Sequence, residues 1–315
     1  MPIEALRTPD DRFDNLPGFP YQPHYVDDLS GYEGLRMAVI DEGPKDAPVF
    51  LCLHGEPSWS YLYRKMIPYF LEAGGRCVAP DLFGFGRSDK PKQRDDYSYT
   101  FHRNALLALV EKMDLQNVTL VVQDWGGILG LTLPMEAPER YKRLIIMNTA
   151  LPMEPEASVV AKDLFERPED TAPTTGFGGW HAFSQSRPSM NCGGIIARGC
   201  GAELSPEEVA AYDAPFPDET YQAGALVFPT LVPWKSDMDG YAISQRAIEF
   251  WNAWDGDTFM AVGDQDPVLG VPLMERMRDL IKGCPDPVLI KGGGHFVQER
   301  GDEIAPAALQ AFGGK

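Results

Sequence analysis

The chain has 315 residues, 44% of them hydrophobic, with 28 basic against 46 acidic side chains and a net charge of −18. That hydrophobic share supplies a large core and excludes a disordered chain. The acidic balance excludes the basic surface that nucleic acids and anionic membranes require. Cys52, Cys77, Cys192, Cys200 and Cys284 form no CxxC pair and read as reduced, mostly buried thiols. No run reaches the roughly 18 apolar residues of a membrane span, and the N-terminal MPIEALRTPDDRF lacks the apolar stretch of a signal peptide. The expectation is a soluble, cytoplasmic protein.

In chain order, the first 35 residues are rich in Pro, Asp and aromatics and read as an irregular wrap. Residues 36–40 suggest an early strand, antiparallel at one edge of a sheet. Residues 48–53 form a buried strand that ends in His54-Gly55-Glu56-Pro57. A helix over 61–73 stops at Gly74-Gly75. A strand over 76–80 leads to Asp81 and the Gly-rich turn 84–88. A helix over 100–113 has Thr100 as N-cap, with Leu106, Leu109, Val110 and Met113 at helical spacing.

Residues 118–122 are apolar and rich in valine, as a buried strand should be. Asp124 interrupts that run, and Gly126-Gly127 opens a helix. Strands follow at 143–147, 259–262 and 287–290, with helices at 270–281 and 304–312. This alternation predicts a mostly parallel sheet covered on both faces by helices. The pattern breaks between 152 and 233, a stretch rich in Gly, Pro and aromatics, without strand runs, and with a helix start at Ser205-Pro206-Glu207-Glu208. Residues 153–233 therefore read as an inserted helical cap, and residues 1–152 and 234–315 as the core domain. The cap would cover the carboxyl ends of the strands, where open α/β sheets bind ligands.

A strand, a sharp turn and a helix hold the nucleophile of an α/β-hydrolase, followed in the chain by an acid and then a histidine. Here the nucleophile position is Asp124. Val122 stands where the serine version has Gly, so Gly126-Gly127 must make the turn, or Asp124 tolerates a gentler bend. Of the five histidines, only His295, within Gly292-Gly293-Gly294-His295, follows the last strand. Asn148 ends a strand but carries no charge to orient an imidazolium. Asp264 and Asp266 both follow strand 259–262, and spacing does not separate them.

A carboxylate with a reference pKa of about 3.9 is already ionised at neutral pH. Attack on an acyl carbon would give a reactive anhydride, whereas attack on saturated carbon gives a plain ester. His295 is then free to activate the water that hydrolyses it. Backbone N–H groups of Trp125 and Glu56 are placed to hold the oxyanion. Trp125 also offers an indole N–H, a donor that cannot act as an acid. That suits a halide, which leaves as a stable anion, better than an epoxide oxygen, which needs a proton. Trp180, among glycines in the cap, supplies a second indole.

These residues resemble the haloalkane dehalogenases, in the branch with one halide-binding Trp after the nucleophile and one in the cap. The resemblance rests on HGEPSWSYLYRKMIP from His54, DLFGFGRSDKP from Asp81, VVQDWGG from Val121, RLIIMN from Arg143, APFPD from Ala214 and GGHFVQE from Gly293. It implies an α/β-hydrolase fold and Asp124 as nucleophile, His295 as base and Asp266 as orienting acid. It further implies an oxyanion hole at Glu56 and Trp125, and halide binding by Trp125 and Trp180. Phe165, Phe177, Phe228, Pro229, Val232, Val268 and Leu269 are expected to line an apolar pocket for short haloalkanes. No metal, cofactor, nucleic acid or membrane is expected, and the default state is a monomer. Rival readings are an epoxide hydrolase using Tyr212 and Tyr221, a silent ligand receptor, and a cofactor-free oxygenase on the same scaffold.

Overall fold

The valine- and leucine-rich runs lie side by side in the computed structural model, which describes residues 3–152 and 176–313. Among the described residues, eight strands form the main sheet: β2 (His24–Val26), β3 (Met37–Glu42), β4 (Val49–Leu53), β5 (Arg76–Pro80), β7 (Val118–Gln123), β8 (Tyr141–Met147), β9 (Asp257–Gly263) and β10 (Val288–Ile290). Their spatial order is β10-β9-β8-β7-β4-β5-β3-β2. The strands from β10 to β5 run parallel, and β3 and β2 join antiparallel. Every residue of β4, β5 and β7 is buried, as strands covered on both faces require. A separate two-stranded pair joins β1 (Ala5–Leu6) to β6 (Lys90–Pro91).

Several local expectations change. The early strand is not the edge, because β2 pairs outside it; two of its three residues are exposed and give no apolar signal. The expected helix over 61–73 is a 3-10 turn, Ser60–Tyr63, followed by α1 (Ile67–Glu72). Pro68 accounts for the break, since it lacks an N–H and is tolerated only in a helix's first turn. Helix α2 (Tyr99–Lys112) is capped by Ser98, whose hydroxyl accepts the Phe101 N–H at 3.0 Å, and Thr100 lies inside the helix.

The short helix α3 (Trp125–Gly130) follows β7 directly. The described part of the inserted segment holds α4 (Gly176–Gln185), α5 (Cys192–Gly199), α6 (Pro206–Asp213) and α7 (Ala223–Val227). Ser205 caps α6 with Glu208 reaching back, as the sequence signalled. Buried Arg64 ties this segment to the core: it donates to Glu299 at 2.6 and 2.8 Å and to Glu208 of α6 at 2.7 Å. Helices α8 (Tyr241–Asn252), α9 (Val271–Leu280) and α10 (Gly301–Ala311) complete the core. The sequence reading did not include α8, whose fully buried residues are Ser244, Ala247 and Trp251, with Ile243, Ile248 and Phe250 packed half-buried against the core. No helix among the described residues is long and apolar enough to cross a membrane.

Candidate active site

Asp124 sits at the carboxyl end of β7 with φ 49° and ψ −128°. A non-glycine residue in that region costs on the order of 1–3 kcal/mol and needs its surroundings to enforce it. Its N–H donates to the Asn148 carbonyl at 2.9 Å, and its carbonyl accepts the Thr149 hydroxyl at 2.6 Å and the Gly127 N–H at 2.9 Å. The glycine demand that Val122 does not meet falls on Gly126 and Gly55. A Cβ on Gly126 would stand 1.9 Å from the Leu53 carbonyl oxygen, and one on Gly55 would stand 2.3 Å from Asp124 Oδ1. Both contacts are impossible, so the turn is strained and is made by glycines on two elements.

Three loops converge on Asp124 and His295. From β4, the Glu56 N–H donates to Oδ1 at 2.8 Å. From β10, His295 Nε2 lies 3.5 Å from Oδ2. From β9, Asp266 Oδ2 meets His295 Nδ1 at 2.9 Å. Asp266 is itself held by the N–H groups of Val268 and Leu269 at 2.7 and 3.0 Å and by the Asn148 amide at 2.7 Å. Asp264 is exposed and accepts the Gly292 N–H at 2.7 Å, a contact between the loops after β9 and β10. Geometry therefore brings Asp266, and not Asp264, to His295.

Burial works against charge on His295, but the attraction of Asp266 and the hydrogen bond to Asp124 outweigh it and raise the imidazole to about 10. Burial would raise Asp266, yet the His295 charge, its hydrogen bond and the two backbone N–H groups hold it near 2. Glu56 shows the reverse balance. Burial, and then the Asp124 charge, push its carboxyl well above the usual carboxylate range.

The His295 loop is braced by the inserted segment. The Gly294 N–H donates to the Cys200 carbonyl at 3.0 Å, and a Cβ on Gly294 would stand 2.2 Å from the Gly199 carbonyl oxygen. Gln123, one residue before Asp124, donates to the His295 carbonyl at 3.0 Å. Gln123, Asn148 and Thr149 were absent from the sequence-based site. Asn148 was set aside for lacking charge, although it ends a strand beside β7, which is itself a site signal in parallel sheets.

A cavity of about 170 Å³ opens above Asp124. Glu56, Trp125 and His295 face it from the core, and Phe177, Trp180, Ile195 and Val232 from the inserted segment, with Val268 and Leu269 beside Asp266. Phe228 and Pro229, expected in its wall, do not line it. Phe228 is fully buried below, edge-on to Trp125 at 4.7 Å and to His102 at 4.6 Å, where it completes the aromatic core. Phe165 lies outside the described residues. The Trp180 indole reaches the cavity, but its N–H donates to Glu56 Oε2 at 3.0 Å. Tyr212 and Tyr221 do not line the cavity; Tyr212 is fully buried and bonded to Arg64 and Glu299. No cluster of three or more His, Cys, Asp or Glu fit to hold a metal occurs among the described residues.

Residues 48–175 match the alpha/beta hydrolase fold family. A haloalkane dehalogenase of Psychrobacter cryohalolentis is 44% identical over 313 residues, covering 98% of both chains. One of Mycolicibacterium paratuberculosis is 40% identical over 309 residues, again covering 98% of both. The solved tetrameric haloalkane dehalogenase of Paraglaciecola agarilytica superposes with a TM-score of 0.89 at 50% identity, over 99% of each chain.

Proposed function

The chain belongs to the haloalkane dehalogenase family, hydrolases of carbon–halogen bonds built on the α/β-hydrolase fold, and from that premise we propose that it hydrolyses short-chain haloalkanes through an Asp124 ester. The observation that carries this reading is the pairing of Asp124 Oδ2 with His295 Nε2 at 3.5 Å inside a small, mostly apolar cavity. Asp124 attacks the halogen-bearing sp³ carbon, the C–O bond forms, and the halide leaves with the bonding pair toward the indoles of Trp125 and Trp180. Esterification removes the Asp124 charge, one of the causes that hold a proton on His295. His295 thereby becomes a base for water, and buried Asp266 stabilises the imidazolium that forms. Water adds to the ester carbonyl, and the oxyanion is received by the N–H groups of Glu56 and Trp125. The Glu56 N–H already bonds to Asp124 at 2.8 Å, and the Trp125 N–H is among those a helix start leaves without an intrahelical partner. One haloalkane and one water thus give alcohol, halide and a proton. Side chains and water supply every group in this scheme, so no cofactor is required.

A cavity of about 170 Å³ suits a molecule of a few heavy atoms. Residues 153–233 act in this scheme as a cap over a core of 1–152 and 234–315. The rival epoxide opening is less well supported, because it needs a tyrosine to protonate the leaving oxygen and none lines the cavity among the described residues. The monomer expected from the sequence stands against the tetramer of the Paraglaciecola relative, and light scattering on the purified chain distinguishes them. The deciding assay is halide release from 1,2-dibromoethane and a panel of short dihaloalkanes, without added metal or cofactor. Bromide release at a sustained rate is expected. Halide at background, with styrene oxide opened to its diol, would overturn the reading.

A further inference from the structure

Gln123 ends β7 one residue before Asp124, is fully buried, and takes no part in the reaction scheme. Its amide Nε2 lies 3.0 Å from the His295 main-chain carbonyl and 3.2 Å from His295 Nε2. A carbonyl oxygen only accepts, so the end of the amide that faces it is the NH2 end. The other end, Oε1, accepts from the amide of Gln298 at 3.4 Å, and Gln298 is fully buried as well. The Gln123 amide is thereby fixed, with one N–H on the His295 carbonyl and the second toward the His295 ring.

An N–H aimed at His295 Nε2 treats the two forms of the ring differently. The neutral ring with its proton on Nδ1 has a lone pair on Nε2 that accepts the N–H, whereas the imidazolium sets its own N–H against it. A hydrogen bond made only to the neutral form disfavours the charged one. Two carboxylates act the other way: Asp266 meets Nδ1 at 2.9 Å, and Asp124 lies 3.5 Å from Nε2. Glu56 shares the cavity wall, but its carboxyl is pushed well above the usual carboxylate range. Among the described residues, the inserted segment lines the cavity without a titratable side chain, and Cys200 turns its thiol to the Ala197 and Ala202 carbonyls. On the ring's own loop, Glu299 is bound by Arg64 and Lys65. While Asp124 is ionised the two carboxylates prevail and hold the ring protonated. Esterification removes one of them, and the Gln123 N–H then faces Nε2 without that opponent.

We propose that Gln123 is a positioning residue for the hydrolytic step: its second N–H holds the Nε2 lone pair of neutral His295 and keeps the ring proton on Nδ1, against Asp266. Arriving water then replaces the amide N–H on that lone pair. One water proton passes to Nε2, the water oxygen bonds to the ester carbonyl carbon, and no further reactant enters the balance. Gln123 works through His295 and does not line the cavity. This inference rests on the dehalogenase reading and deepens its second step.

The test is the pH dependence of ester hydrolysis, read by rapid-quench mass spectrometry as decay of the alkyl adduct after one turnover of 1,2-dibromoethane. In the natural chain the rate should rise with pH as His295 loses its proton, and then level. Gln123→Met keeps the length of the side chain and removes the N–H. The rise should then move up by about one pH unit, the worth of one hydrogen bond, with the rate recovered at higher pH. Gln123→Glu, equal in size, sets an acceptor before the imidazolium N–H and should move the rise up by about two units. A merely structural Gln123 would lower the rate at every pH and leave the rise in place, which overturns the proposal. A rise moved to lower pH overturns it as well. If Gln123→Met does not fold, Gln123→Glu decides by the same criterion. A natural chain that forms no adduct and releases no halide sinks the dehalogenase reading itself. One that forms and hydrolyses the adduct, with the rise unmoved in Gln123→Met, sinks this inference alone.

Discussion

On the core side of the cavity, the Asp124 and Asp266 carboxylates, the His295 ring and the amides beside them are held at 2.6–3.5 Å by partners from several loops. On the side of the inserted segment, Phe177, Ile195 and Val232 meet the cavity with apolar groups alone, and Trp180 contributes one hydrogen bond. The two sides do different work. Bond-making chemistry needs atoms fixed to a fraction of an ångström, and interlocking hydrogen bonds supply that. Selecting among apolar substrates needs only shape, which packing sets loosely and which a single methylene shifts. Substitutions on the core side should therefore change turnover, and those on the cap side should change substrate preference.

The steepest expected loss is from Asp124→Ala, which removes the proposed nucleophile; halide release should fall by about 10⁴-fold or more. Sustained release above that floor would place the nucleophile elsewhere and erase the contrast. His295→Gln should lower steady-state turnover about 10³-fold while leaving the first displacement intact. Intact-protein mass spectrometry should then show one alkyl adduct on Asp124 after exposure to a good bromide substrate. With no adduct, the two-step scheme fails.

Asp266→Asn should cost about 10²-fold in turnover and change the pH dependence of stability. Asp266 lies near 2 when folded against its ordinary 3.8, so its contribution is present above 3.8 and lost as pH falls through about 2. His295 lies near 10 against its ordinary 6.5, so its contribution is present below 6.5 and lost as pH rises through about 10. The two shifts share the Asp266–His295 ion pair, and the His295 shift draws on Asp124 as well. Thermal melts of the natural chain should be highest between about pH 4 and 6.5, and Asp266→Asn should flatten both limbs. Unchanged limbs would mean that the pair does not govern stability.

Val232→Ala probes the other side. Its cavity-facing methyls should shift KM ratios between short and longer dihaloalkanes by about tenfold, with kcat for the best substrate kept within about threefold. A large fall in kcat with unchanged KM ratios would show that the cap side also positions reacting atoms.

The same division explains what was legible before the fold was known. Asp124 and His295 stood out because each is a reactive residue at a strand end beside glycines, a pattern contained in a few neighbouring residues. The parallel sheet followed from apolar runs of the right length. The Trp180–Glu56 bond joins residues 124 positions apart, and local patterning carries no trace of it. Phe228 was placed in the pocket wall because an aromatic in an apolar stretch reads the same whether it lines a cavity or, as here, packs beneath Trp125. Asn148 was passed over because its role depends on Asp266, which reaches it only when β8 and β9 lie side by side.

Asp264→Asn should have the smallest effect, and it tests the contrast most finely because Asp264 is two residues from Asp266 on the same loop. Its carboxylate is exposed and accepts the Gly292 N–H at 2.7 Å, a bond that an amide oxygen can also accept. Exposed substitutions of this kind change stability by no more than about 0.5 kcal/mol. Turnover should stay within about twofold, since 0.4 kcal/mol corresponds to that factor. A loss near that of Asp266→Asn would mean that the Gly292–Gly294 turn, and not the ion pair, sets the position of His295. The core side would then owe its precision to loop conformation more than to charge.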